Sequence, residues 1–328
     1  MFLLLISISC FNVYSQDKLE IEGTKILDDL VALRHLEIID NQLIVTTRTD
    51  TLFSVFNTEK KTLHKFGREG FGPGELEKAP IFTVTYAGDI LIYIDEQLEI
   101  RIIDIDKSID TGKIIYDSII EVPRKLRSLW SSQTYLVNDS TVVGMYDDQF
   151  DKVLDQKRGV LIYNINSKKV ENYHLKNFSV QPFDVMSNTN VNARTGAAIF
   201  NQNKLIFAHH HTSLIETFDF QTRKLLSKNI IHDQSEFPKV FNNDKFLENG
   251  YREVFVNLSN FNGYSYILYS NTFYGEKVNK EILVVNSELE IVEKFTVNKK
   301  FELTKISAFQ NVIYGMSYNN DEIYKFEL

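Results

Sequence analysis

The feature that most constrains this chain is a short pattern that returns six times. A strand-like run ends on an aromatic or aliphatic residue followed by Asn, Asp or Glu. The copies are "TLFSVFN" to Asn57, "EIRIID" to Asp104, "GVLIYN" to Asn164, "LIETFD" to Asp219, "EILVVN" to Asn286 and "EIYKFE" to Glu327. Their spacing is uneven, as loops of differing length would make it. A second run precedes each copy: "QLIVTTR" (42–48), "DILIYID" (89–95), "TVVGMYD" (141–147), "KLIFAHHH" (204–211), "YSYILYS" (264–270) and "NVIYGMS" (311–317). Most of these start just after a turn signal such as Asp40-Asn41, Gly88-Asp89 or Asn262-Gly263. A further run comes before each pair: "LRHLEII", "IFTVTYA", "SQTYLV", "GAAIFN", "EVFVNLS" and "TKISAFQ". Every copy except the last is followed by a fourth, such as "TLHKFG", "KIIYDSIIEV" or "IVEKFTV". Aromatic and β-branched residues dominate these runs and favour strands. The unit is four antiparallel strands, and no amphipathic helix of three or more turns interrupts it. Radial repetition of such units predicts an all-β, six-bladed β-propeller. Separate β-sandwiches would need Pro/Gly/Ser linkers, and the sequence has none.

The two ends of the pattern fit each other. The sixth copy stops at "IYKFEL", its third strand, while "KLEIEGTKIL" (18–27) alternates apolar and polar residues without a hairpin partner. Leu19, Ile21 and Ile26 mark this strand. It is predicted to supply the missing fourth strand of blade six, with residues 18–25 pairing with 322–328. That pairing would close the ring and cover two exposed sheet edges.

Composition narrows the function classes. Of 328 residues, 43% are hydrophobic and 24% charged, enough for a packed core and too apolar for a disordered chain. The net charge of −8 argues against a general nucleic-acid binder, which needs a basic face. The start, "MFLLLISISCFNVYSQ", holds an apolar run too short to span a bilayer as a helix. It reads as a signal peptide over 1–15, with Val13 and Ser15 at the −3 and −1 positions of the cleavage site. Residues 16–328 are then an exported propeller, periplasmic or at the cell surface. A basic n-region is missing, which leaves a start codon upstream of Met1 open. Cys10 is the only cysteine, so cleavage after Ser15 leaves a chain without thiol chemistry. A lipid anchor at Cys10 would need cleavage just before it, and the preceding "SIS" is a weak signal for that.

Three segments carry a family resemblance. "KFGREGFGPGELEKAP" (65–80) holds a G-x-G-P-G-E loop after a fourth strand. "NGYREVFVNLSNFNGYSYILYS" (249–270) has a Gly-Tyr followed by an Ile-Leu-Tyr-Ser run. "NVIYGMSYNNDEIYKFEL" (311–328) has the form of a last blade. On these the chain resembles the TolB-like six-bladed propellers common in Bacteroidetes, which are similar in style to NHL-type propellers. The resemblance implies an exported binding module and is nearly silent on activity.

Candidate chemistry sits at the ends of the strands. The loop at 65–80 contains G-x-x-G-x-G, yet it lacks G-K-[ST] and no helix follows, so it is not a phosphate cradle. Pro73-Gly74 reads as the centre of a type II turn, and Glu75 is placed to bond backbone amides or pair with Arg68. The stretch is expected to join blades one and two, with Arg68 and Glu75 facing the ligand-binding side. His209 and His211, in the run His209 to His211, share one side of a strand. They could begin a metal site only with ligands from elsewhere. His35, His64, His174 and His232 are isolated in sequence and read as ordinary strand or loop residues. The pairs Asp95-Glu96 and Asp147-Asp148 read as solvated turns, since neither lies in a calcium-loop pattern. Long connections at 176–196 and 231–250, the latter with Phe237, Phe241 and Phe246, should rise on the same face. Arg127, Trp130, Arg194 and Arg252 start inner strands and are expected at the channel mouth. No G-x-S-x-G elbow, dinucleotide-binding or zinc-finger spacing occurs, so no cofactor and no metal site is expected. The leading expectation is non-catalytic recognition of a peptide, glycan or protein partner. The alternative is a metal-assisted hydrolase or lyase at the central channel.

Overall fold

In four of the six copies the Asn or Asp at the end makes the turn that follows it. Asn57 Oδ1 accepts the N–H groups of Glu59 and Lys60 at 3.1 and 2.8 Å. Asp219 Oδ1 does the same for Gln221 and Thr222 at 2.9 and 2.8 Å. Asn164 takes Ser167, and Asn286 takes Glu288 and Glu290. These side chains mimic a backbone turn and fold the third strand back onto the fourth. Asp104 uses the same chemistry differently. Its carboxylate caps the helix Ile105–Thr111 by accepting from Lys107 N at 2.9 Å. This two-turn helix stands between the third and fourth strands of blade two. The sixth copy ends in Glu327, where no fourth strand follows in sequence.

The computed structural model describes residues 19–27, 30–94, 97–124, 126, 129–147, 158–174, 196–201, 203–210, 214–230, 252–273 and 277–328. They form six sheets of four or five strands. The inner strands of blades one to six are Leu33–Ile39, Thr83–Val84, Leu129–Asn138, Gly196–Asn201, Arg252–Phe261 and Lys305–Phe309. Blade two's inner strand is shorter than its sequence run. Pro80 precedes it, and Thr85 leaves the ladder to accept Asp89 N through Oγ1 at 3.0 Å.

Six apolar clusters lie between the six sheets, one at each junction of neighbouring blades. An open row of six sheets has only five such junctions. The sixth cluster packs Leu36, Leu43 and Val45 of blade one against Tyr314, Met316 and Ile323 of blade six, so the ring is closed. The fold is a six-bladed β-propeller.

Closure follows the expected principle with a different register. The fourth strand of blade six is Gly23–Leu27, antiparallel to Glu322–Glu327, with Gly23 opposite Phe326 and Leu27 opposite Ile323. Lys25 Nζ meets Glu322 Oε1 at 3.0 Å across this pair. Leu19 and Ile21, expected on the same strand, do not belong to it. Leu19–Ile21 adds in parallel to the outer strand of blade five, opposite Phe295–Val297. The reason is burial: Ile21 is 4% exposed in the cluster between blades five and six, a place the outer edge of blade five opens to it. The segment thus splits into two short strands on adjacent blades.

Candidate functional site

An inner strand has no ladder partner on its channel side, so its free backbone groups must be satisfied otherwise. Here the neighbouring blade's side chains do it. Ile306 N donates to Asn257 Oδ1 at 2.9 Å, and Ala308 N to Ser259 Oγ at 2.7 Å. Ile38 N donates to Ser307 Oγ at 3.0 Å, and Thr83 Oγ1 to the Thr134 carbonyl. These short polar residues line a central channel of about 510 Å³ that all six inner strands enclose.

In its wall stands a cluster built from blades one and six. His35 and Glu37 share a face of Leu33–Ile39, and Lys305 and Ser307 share one of Lys305–Phe309. Lys305 Nζ lies 3.0 Å from Glu37 Oε1 and 3.2 Å from His35 Nε2. His35 Nε2 is 3.5 Å from Glu37 Oε1, and Ser307 Oγ donates to Glu37 Oε2 at 3.0 Å. Phe82 packs edge-on to the imidazole at 4.6 Å. Burial, then the Lys305 charge, push the His35 pKa down to about 4. Burial works to raise Glu37, but Lys305 and His35 outweigh it and hold the carboxyl at about 2. Burial and the Glu37 charge push the Tyr135 phenol up. At neutral pH the cluster is a lysine–carboxylate pair with a neutral imidazole beside it.

The second element is the joint between blades one and two. Gly74 has φ +78°, and Glu75 N donates to the Gly72 carbonyl at 3.0 Å, so Pro73-Gly74 is the centre of a type II turn as expected. Glu75 then folds back, and its Oε2 accepts Gly72 N at 2.8 Å. A Cβ on Gly70 would stand 2.2 Å from that oxygen, so the glycine makes room for the carboxylate. The joint roofs a cleft of about 810 Å³ between blades one and two. Phe71, 88% exposed, sits on its lip, and Ile94, Ile119 and Tyr116 wall it. Arg101 is fixed there by Glu99 Oε2 at 2.7 Å, the Tyr116 hydroxyl at 3.1 Å and the Tyr116 ring face. A third recess, of about 440 Å³, opens at the channel mouth between Arg34, Arg48, Tyr318 and Asp321. Arg34 and Ile81 line all three, so channel, cleft and mouth meet at one point.

The expected site residues divide sharply. Glu75 lines the cleft but is turned into the loop, while Arg68 is exposed and lines none of the three recesses. His209 is buried, its Nε2 2.9 Å from Glu216 Oε2, and also lines none of them. Its partner Glu216 lies seven residues on in sequence, on the next strand of the same blade. His210 lines the channel instead. Trp130 and Arg252 lie on the inner strands of blades three and five, where only their backbones are described. Arg127, Arg194, His211, Cys10, His232, Asp95-Glu96, Asp148, all of 176–196 but its last residue and the whole run at 231–250 lie outside the described residues. His35 was read as ordinary, and is the centre of the channel cluster. Arg34, Arg48, Arg101 and Lys305 were missed.

No family model matches this sequence, and no curated protein sequence matches it. Solved structures do resemble it. A DUF4221 family member from Bacteroides vulgatus superposes with a TM-score of 0.59 at 11% identity, covering 95% of this chain and 98% of its own. A proposed exported protein from Bacteroides fragilis gives 0.55 at 11% identity, covering 94% of both chains. A luciferin-regenerating enzyme gives 0.52 at 10% identity, over 94% of this chain and 95% of its own. At such identities the likeness establishes the propeller fold alone. The same fold carries an enzyme among these neighbours, so function must come from the site.

Proposed function

We propose that the chain is an exported propeller of the TolB-like kind that recognises a peptide, glycan or protein partner on the face bearing the joint loop. One observation carries the reading. The cleft under that loop combines an exposed aromatic lip, an apolar wall and two guanidinium groups, Arg34 and Arg101, beside an open channel mouth. Concave sites with a few fixed polar groups in an apolar wall are how proteins hold ligands. No helix among the described residues is long and apolar enough to cross a membrane.

The alternative, a metal-assisted hydrolase or lyase, has one observation in its favour. His35, Glu37 and His210 all line the channel. Among the described residues, no three His, Cys, Asp or Glu side chains converge on one point. Glu37 is already committed to Lys305.

Three measurements test the proposal. N-terminal sequencing of the protein recovered from expressing cells should begin at Gln16; an intact Met1 would sink the export reading. Peptide and glycan arrays probed with the purified protein should give hits that Phe71→Ala weakens. Hits indifferent to that change would move recognition away from the cleft. Stoichiometric metal in the purified protein would favour the alternative.

A further inference from the structure

The channel mouth has a charge balance that runs against the rest of the molecule. The whole chain carries −8. At the mouth two guanidinium groups, Arg34 and Arg48, face one carboxylate, Asp321. Asp321 Oδ1 accepts the Leu33 N–H at 3.0 Å, which ties it to the strand start. The next charges inward are Lys305 and Glu37, which neutralise each other. Neither Arg34 nor Arg48 pairs with a carboxylate among the described residues. Arg34 Nε is buried and has no hydrogen-bond partner among them. Its carbonyl is occupied, accepting the Tyr318 hydroxyl at 2.5 Å, which holds the strand start in place. Burial, and next the charge of Arg48, push the Arg34 pKa down, against an opposing pull from Tyr318.

A buried donor left unmade is costly, and two adjacent guanidinium groups repel. A carboxylate entering the recess supplies the counter-charge that relieves the repulsion. The planar fork of arginine matches a carboxylate better than any other side chain does. The recess holding these groups shares Arg34 and Ile81 with the cleft under Phe71, whose lining sets Ile, Pro and Phe side chains beside Lys78, Gln97 and Arg101. A ligand bound at both therefore carries a carboxylate next to an apolar group. The isoleucine, proline and phenylalanine part of that lining takes a peptide's apolar side chain, where a sugar ring would set hydroxyls against apolar atoms.

We infer that Arg34 and Arg48 form an anion subsite at the channel mouth that takes an acidic side chain of a peptide, whose apolar neighbour lies in the cleft between blades one and two. This rests on the recognition reading above and names its ligand class.

Calorimetric titration with N-acetyl-Glu-Phe-amide and N-acetyl-Gln-Phe-amide tests it. The acidic peptide should bind about tenfold more tightly, a difference of one charge-assisted contact. Raising salt from about 50 to about 500 mM should erase most of that preference. Arg48→Gln, at an exposed position, should bring the acidic peptide down to the level of the neutral one without changing the circular dichroism spectrum. Phe71→Ala should weaken both peptides alike. Equal binding of the two peptides, lost in Phe71→Ala, would overturn the anion subsite and leave the recognition reading standing. Binding of neither peptide would overturn the inference and the peptide form of that reading together. Inorganic phosphate binding more tightly than the acidic peptide would reassign the subsite to free anions and overturn it as a peptide site.

Discussion

The imidazole–carboxylate pairs His209–Glu216 and His35–Glu37 are built for different ends. In blade four, His209 and Glu216 are 3% and 0% exposed, and Ser227 Oγ donates to the second Glu216 oxygen at 3.1 Å. In the channel wall, His35 and Glu37 share their site with Lys305, and the Glu37 side chain keeps 20% exposure. The first pair is buried between strands and lines none of the three recesses. The second borders the channel and is poised by a third charge from a different blade. The contrast teaches that the titratable residue type marks neither a site nor a core. What decides is whether the pair opens onto space.

The sharpest way to break the buried pair is Glu216→Ala. It takes one partner from a buried imidazole and from a serine hydroxyl, and should cost about 3–5 kcal/mol in urea unfolding. A loss below about 1 kcal/mol would mean that the pair adds little to the core. Lys305→Met removes the third charge of the open pair and should cost about 2–3 kcal/mol, reduced by the solvent that reaches Glu37.

The same variant should flatten the acid response. Glu37, held at about 2 against an ordinary 4.5, contributes stability above pH 4.5 that is lost as the pH falls towards 2. His35, held at about 4 against 6.5, stays neutral in the fold while the unfolded chain takes up a proton. Stability therefore falls as the pH drops from 6.5 to 4. Without Lys305 both pKa values rise, so urea midpoints should change less over that window than in the wild type. An unchanged slope would remove Lys305 from the cluster.

Smaller effects sharpen the picture. Ser307→Ala leaves Ile38 N–H and one Glu37 oxygen short of a partner, at about 1–2 kcal/mol by thermal unfolding. Arg48→Gln, at an exposed site, should stay within about 0.5 kcal/mol of wild type, so that any ligand effect is read without a stability effect.

Much of this architecture was legible in the chain itself. The repeated signature located the six third strands, and in four of them its Asn or Asp is a turn group as well as punctuation. The glycines of the joint read correctly as geometry, and Glu75 as a brace was foreseeable from Pro73-Gly74. The His209 partner was within reach too. Ala208 pairs with Ile215, so Glu216 is a diagonal neighbour of His209 on one face. The channel cluster was not within reach. Lys305 and His35 are 270 residues apart, and only ring closure makes them neighbours. Arg34 and Arg48 look like ordinary surface arginines until the recess between them exists. The split of 19–27 between two blades depended on which edge could bury Ile21, a property of the assembled ring.

The clasp at the ends of the chain also sets a folding order. Asn298 Nδ2 donates to Glu20 Oε1 across 278 residues of sequence, and the pairing of Gly23 with Phe326 spans more. Bringing such distant points together costs about 5 kcal/mol of chain entropy, whatever contacts reward it. The middle blades are hairpins of local sequence and can form without it. Ring closure is therefore the late, slow event, because its contacts have the greatest sequence separation in the molecule. Until that event, blades five and six expose the strand edges that the two short N-terminal strands later cover. The interval before closure is when this protein is most open to mispairing with another copy of itself.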